Sequence, residues 1–409
     1  MIKTARYLRK LRLDRQWKQE YVALKLHISR TLLSEIEHGH ASINEKLKLS
    51  LLTLYEVKQL ESEEQQEQNL RNLFMAVYHC DQKAKSLFDE LITNKSVYIN
   101  SPLFIDYWLI LFIYTATYKL DSRAYYQQLM QYGRFLTIKE NQYFSLFKAI
   151  QLRNEFQDLK AMDIIQLLLD LEVKDLYFEG LLNYHASYLF YGFGDYINSL
   201  RCAYNASHSF KETLCLVRYL RVKSQEANIY MASHLYAQAD VINKYLIEAG
   251  KGKLPDFDYN SIVSNAVLTM IFTYNYETAM HYIEMKTSNW EEVPQMYFNI
   301  AWTLFKTNRY DEALIFIKDN LNKINNKYIK DMLKIVEFLI KDPTSIELQK
   351  LLKNCEQYLL KMGDVDAIIF VYSLLLELYE RKGNTKQQLK IMKRILDVEK
   401  LYYKYPIVL

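Results

Sequence analysis

An aromatic residue followed three positions later by a small one returns along this chain: Tyr196 with Ser199, Tyr236 with Ala239, Tyr276 with Ala279 and Tyr310 with Ala313. Weaker versions open at Ser122 with Tyr125, Leu159 with Met162, Ile346 with Gln349 and Thr385 with Gln388. Successive openings lie 37, 37, 40, 40, 34, 36 and 39 residues apart. A step of that length holds one pair of antiparallel helices, and the small residue lets the two approach closely. Such a hairpin cannot bury its apolar face alone, so about eight of them must stack into a superhelix with a concave inner surface. Other architectures fit poorly. Only 9 of 409 residues are Gly and 5 are Pro, about 3 per cent where 12 per cent is usual, so the tight turns of an all-β or βαβ fold are hard to supply. Half the residues are hydrophobic, which argues against disorder, and 35 tyrosines suit long half-buried helix seams.

The chain starts Met1-Ile2-Lys3-Thr4-Ala5-Arg6, a basic amphipathic stretch without the apolar core of a secretory signal. Its longest uncharged run, Tyr107 to Tyr118, has the length of a core helix and is too short to span a bilayer. Cys80, Cys202, Cys215 and Cys355 are scattered and form no C-x-x-C pair, so they read as reduced, mostly buried thiols. A cytoplasmic protein is expected.

Charge divides the sequence. Of 52 basic and 48 acidic residues, 12 and 6 fall within the first 60, leaving 40 and 42 for the rest. The basic head suggests a polyanion partner; an ordinary solvated helix face is the alternative. Residues 61–72 read as a polar, helical or solvated linker because Glu61 to Gln68 contains no apolar residue, and 73–409 as the repeat body.

Inside the head, Ile2, Tyr7, Leu8 and Leu11 recur at helical spacing and predict a helix ending near Asp14. A short second helix follows from Lys18 to about Lys25, burying Tyr21 or Val22 with Ala23. Ser29 is a good N-cap for a third, with Leu33 and Ile36 inward and Gly39 as its stop. A fourth, from about Ile43 to Tyr55, covers the remaining apolar face with Leu47, Leu51 and Leu54.

This segment resembles the lambda-repressor-like, xenobiotic-response-element helix-turn-helix family. The resemblance rests on Leu11-Arg12, on Trp17 to Ala23 and on Ile28 to Gly39, with Arg12, Gln19 and Glu37 at the family's offsets. His27 stands where a glycine is usual, and Lys18 where Ser or Thr usually caps the second helix. The family implies a partly buried ion pair between Arg12 and Glu37; a solvated surface pair is the alternative. A major groove admits one α-helix, and only outward residues of its first two turns reach base edges. Here these are Arg30, Thr31, Ser34 and Glu35. Arg30 can fork onto guanine O6 and N7, and Glu35 can accept from cytosine N4. Lys18, Gln19 and Ser29 suit phosphates, which position without specifying sequence.

The body resembles the tetratricopeptide repeat most fully at Tyr297, Ala301, Leu304, Phe305, then Asn308 to Ala313, then Ile317. Eleven residues before each opening aromatic stand His185, Gln225, Asn265 and Asn299, and eight before Tyr236 stands Asn228. In that family those offsets face the superhelical groove, where asparagines grip an extended peptide. A side-chain amide can donate to a peptide carbonyl and accept from a peptide N–H together. Tyr184, Arg221, Ser224, Gln295, Trp302 and Lys306 are further groove candidates; plain solvent exposure is the alternative.

Catalytic and cofactor signals do not assemble. Gly192-Phe193-Gly194 lacks a third glycine and a preceding strand, and Gly250 to Lys253 lacks the first glycine of a phosphate loop. No H-E-x-x-H occurs, and His38-Gly39-His40 reads as surface or phosphate contact rather than as metal ligands. No enzyme, cofactor or metal is expected. The fold class is all-α: a helix-turn-helix DNA-binding bundle over residues 1–60, then a right-handed tetratricopeptide-like α-superhelix. That order is similar to the RNPP group of peptide-pheromone-responsive regulators. The resemblance implies a cytoplasmic homodimer that binds operator or promoter double-stranded DNA and is switched by a short signalling peptide, without membrane attachment. A peptide that prefers one arrangement of the superhelix would alter the spacing of two heads that must sit about one helical turn, ~34 Å, apart. Two alternatives stay open: a repressor controlled by a protein partner, and an effector of response-regulator proteins.

Overall fold

The computed structural model describes residues 2–57, 63–172, 174–362 and 365–402. The start of the polar run, Glu61 and Ser62, lies outside the described residues, as does Lys58 of the basic head. The described residues are helical throughout and contain no strand. The head comprises α1 (Ile2–Asp14), α2 (Gln19–Leu26), α3 (Arg30–Glu37) and α4 (Glu45–Leu54). Then come α5 (Glu63–Tyr78), α6 (Ala84–Thr93), α7 (Lys95–Ile99), α8 (Phe104–Thr117), α9 (Arg123–Gln131), α10 (Ile138–Asn154) and α11 (Asp158–Leu169). The remainder is α12 (Leu176–Gly192), α13 (Tyr196–Glu212), α14 (Leu216–Ala232), α15 (Tyr236–Gly250), α16 (Asp256–Phe272), α17 (Tyr276–Glu284), α18 (Pro294–Lys306), α19 (Tyr310–Asn320), α20 (Lys327–Lys341), α21 (Ile346–Met362), α22 (Val365–Arg381) and α23 (Thr385–Tyr402).

Every predicted repeat opening falls at a helix start. Tyr196, Tyr236, Tyr276, Tyr310, Ile346 and Thr385 are the first residues of α13, α15, α17, α19, α21 and α23, and Ser122 and Leu159 lie within one residue of the starts of α9 and α11. The small residues do their expected work: Ser199, Ala239, Ala279 and Ala313 are all fully buried. The hairpin turns need a left-handed residue to end the first helix. Gly194 and Gly383 supply it without strain, whereas Phe156, His234, Tyr274 and Asn308 adopt the same positive φ with a Cβ. No helix of the described residues is long and apolar enough to cross a membrane.

The chain divides into two compact units, residues 1–182 and 183–409. In the second, each helix from α13 to α23 packs on its successor, and α14, α16, α18 and α20 also pack on one another in order. They share one core running from Leu220 through Met296 and Trp302 to Ile391. In the first unit α8 is the hub: from Phe104 to Ala116 every residue except Asp106 is buried, as the uncharged run foretold. Cys202, Cys215 and Cys355 are buried and Cys80 is partly so, all four as free thiols.

The head is built on α8. Tyr7, Leu8, Leu11, Val22, Leu33, Ile36, Leu51 and Tyr55 form its core together with Phe104, Ile105 and Phe135. Polar contacts fasten the same face. Arg6 donates to the Phe135 carbonyl at 2.9 Å and forks onto Glu140. Tyr7 Oη donates to the Asn100 carbonyl at 2.6 Å. Burial is the main reason the Tyr7 phenol is pushed up to about 12. Glu140 is also the N3 residue of a capping box at the start of α10, accepting from Thr137 N at 2.7 Å. The first-helix expectation needs one correction: Ile2 is half exposed, because the packed side of α1 is the one that carries Tyr7, Leu8 and Leu11.

Candidate functional site

The turn into α3 forms as its residues dictate. His27 takes the left-handed conformation, φ 52°, that the usual glycine would adopt, and closes α2 with a backbone bond to the Ala23 carbonyl. Lys18 stands at the N-cap of α2 and makes no side-chain cap bond. Ser29 is extended, and its hydroxyl accepts from Leu32 N at 3.0 Å, which starts α3. On α4 the same task falls to Asn44, which accepts from Leu47 N at 2.8 Å. Of the two residues expected to fill α2's inner face, Val22 is buried and Tyr21 is exposed.

The two faces of α3 differ sharply. Leu33, Ile36 and Glu37 are buried; Arg30, Thr31 and Glu35 are exposed, and Ser34 is half-buried with its carbonyl oxygen 2.6 Å from His38 Nδ1. Glu37, although charged, sits fully inside. Arg12 Nε donates to Glu37 Oε1 at 2.6 Å and Nη2 to Oε2 at 2.7 Å, while Nη1 donates to the Trp17 carbonyl at 2.9 Å. The hydrogen bonds to Glu37, against the opposing effect of burial, hold the Arg12 guanidinium above its ordinary value. Gln19 Nε2 adds a third donor to the same carboxylate at 2.9 Å. The Gln19 amide nitrogen, expected toward phosphate, is thus turned inward, while Lys18 and Ser29 remain exposed. A cleft of 530 Å³ lined by Tyr7, Lys10, Arg15, Gln66, Ser96 and Asn100 opens beside α1; no residue of α3 lines it.

The groove residues divide into two sets. Arg221 of α14 forks onto Asp258 of α16 at 3.0 and 2.7 Å, and Asn265 Nδ2 donates to Asn228 Oδ1 at 2.9 Å. Arg221, Ser224, Asn228, Asn265, Gln295, Tyr184, His185 and Lys306 keep partial exposure. Lys306 Nζ lies 5.0 Å above the Trp302 ring, and the Arg218 guanidinium 5.7 Å above Tyr184. Gln225, Asn299 and Trp302 correct the expectation: they are 1, 0 and 3 % exposed. The reason is neighbouring helices. Asn299 Nδ2 donates to both the carbonyl and the hydroxyl of Ser264 on α16, at 2.9 and 3.0 Å, and its oxygen accepts from Gln295. It binds one inner helix to the next. Asp258, which sequence reasoning passed over, stands 37 residues after Arg221, the same step that separates Asn228 from Asn265. Opposite charges one repeat apart were a usable signal.

The family model described as Helix-turn-helix matches residues 8–57. No curated protein matches the chain. Among solved structures, the apo form of RapI aligns with TM-score 0.63 at 17 % identity, over 84 % of this chain and 99 % of that one. A Rap protein solved with Competence and Sporulation Factor aligns with TM-score 0.65 at 13 % identity, over 83 % and 99 %. The apo quorum sensor NprR from B. thuringiensis aligns with TM-score 0.62 at 13 % identity, over 83 % and 100 %. Residues 8–57 are therefore a helix-turn-helix domain, and the chain as a whole has the all-helical, tetratricopeptide-like repeat fold shared with Rap and NprR.

Proposed function

We propose that this protein is a cytoplasmic regulator of the RNPP type, a homodimer that binds operator DNA through α3 and is switched by a short signalling peptide held on α14, α16 and α18. The head, residues 1–60, reads DNA; 61–72 connects; 73–409 holds the peptide and dimerises. One observation carries the reading: α3 turns Arg30, Thr31 and Glu35 to solvent while the Arg12, Gln19 and Glu37 network fixes its far end. A reading helix needs that division, a rigid anchored side and a free polar side. The peptide part draws on the partly exposed Arg221, Ser224, Asn228, Asn265, Gln295, Tyr184 and Lys306, and on relatives in fold, one a quorum sensor and one complexed with Competence and Sporulation Factor. Gln225, Asn299 and Trp302 support that face from within.

Anisotropy of labelled duplex DNA with the full chain tests the DNA part. Binding should weaken steeply with salt, and Arg30→Ala should lower affinity for a preferred site by about tenfold or more. Calorimetry with fractionated culture peptides tests the rest: Asn228→Ala with Asn265→Ala should abolish the heat. A second reading, an effector acting on a protein partner, is favoured by the core that the head shares with α8, since such a bundle is set into the body rather than tethered to it. Duplex binding absent from the wild type would select that reading.

A further inference from the structure

Two consecutive residues at the front of α2 each reach α3. Gln19 bonds Glu37, the last residue of α3, and Glu20 pairs with Arg30, the first, with Arg30 Nε 3.0 Å from Glu20 Oε1. The Arg30 and Glu20 side chains are 66 and 59 % exposed, so the pair fills no core and, like other exposed pairs, adds little to stability. Its effect is geometric. An arginine on an open face samples many rotamers, and freezing one on contact with a ligand costs entropy. A carboxylate 3.0 Å from Nε biases the guanidinium toward the side of α2. The two Nη groups make no hydrogen bond among the described residues and remain available as a fork. That fork is the shape that matches O6 and N7 of guanine.

We infer that Glu20 is a specificity-positioning residue: it aims Arg30 at a guanine in the major groove and so sets one base of the recognised site. The inference rests on the DNA-binding reading above. A carboxylate so near the DNA face also repels phosphates, so Glu20 favours selectivity at the expense of non-specific affinity.

Selection from a random-sequence duplex library, run with the full-length wild type, Glu20→Ala, Glu20→Gln and Arg30→Lys, tests it. The wild type should enrich sites with guanine at one defined position. Glu20→Ala should lose about tenfold of the guanine preference there while binding unselected duplex as well or better. Glu20→Gln, which removes the charge that pairs with Arg30, should lose most of the preference, and so should Arg30→Lys, which has no fork. A purely structural role for Glu20 would change affinity for all sequences alike. Unchanged guanine preference in Glu20→Ala overturns the inference alone. A wild type that enriches no sequence overturns it together with the DNA-binding reading, so the two failures are distinguishable.

Discussion

At the scale of single residues, two side chains sit where their chemistry alone would not put them. His27 holds a left-handed conformation that hinders any residue with a Cβ. His27→Gly removes that hindrance and partly offsets the gain by loosening the unfolded chain, so stability should rise by about 0.5 kcal/mol in denaturant unfolding; a fall would mean that the imidazole makes a compensating contact. Asn299 is the reverse case, a polar side chain fully inside and fully used. Asn299→Ala leaves the buried Ser264 hydroxyl without its partner, removes a second donor from the Ser264 carbonyl and should cost about 2 kcal/mol. Asn265→Ala, at a partly wet position, should cost under about 1 kcal/mol. Equal losses would show that both residues are structural clamps. The sequence made Arg12 and Glu37 legible because their separation is fixed by a short motif. It could not tell Asn299 from Asn265, since both occupy the same register and only the neighbouring helix decides which is covered.

At the scale of elements, the hairpins were legible from a local signal: an aromatic and a small residue three apart mark the start of the second helix wherever they fall, and Tyr196, Tyr236, Tyr276 and Tyr310 all open helices. The docking of α1 was not legible, because Arg6 meets Glu140 across 134 residues and no local pattern announces such a pairing. Glu140 serves two masters, the cap of α10 and the guanidinium of Arg6. Burial opposes its charge, yet hydrogen bonds from Arg6 and Thr137 outweigh that and hold the carboxyl below its ordinary value of 4.5. A lowered carboxylate contributes stability above its unfolded value and loses it as pH falls through the folded one. Glu140→Gln should therefore cost about 2 kcal/mol near neutral pH, with the difference from wild type fading as pH falls below the ordinary carboxyl value of 4.5. A difference that persisted unchanged into acid would mean that the carboxylate charge plays no part in the joint.

At the scale of the whole molecule, the order of a basic head and a helical repeat could be read from charge and spacing, but the shared core of α1 and α8 is a tertiary fact. Phe104 makes the test. Phe104→Ala should destabilise the unit by about 4 kcal/mol and raise hydrogen exchange in α1 together with α8; protection retained in α1 alone would show that the head stands by itself. A head set into the first helices in this way moves with them under either reading. Whether α3 reads a duplex under control of the repeats is decided by sequencing the DNA that copurifies with the protein from its own cells, with and without spent culture medium, beside Arg30→Ala. A few enriched sites are expected, with occupancy that changes with the medium and that vanishes in Arg30→Ala. Recovered DNA that is unenriched, or the same for wild type and Arg30→Ala, would contradict that expectation.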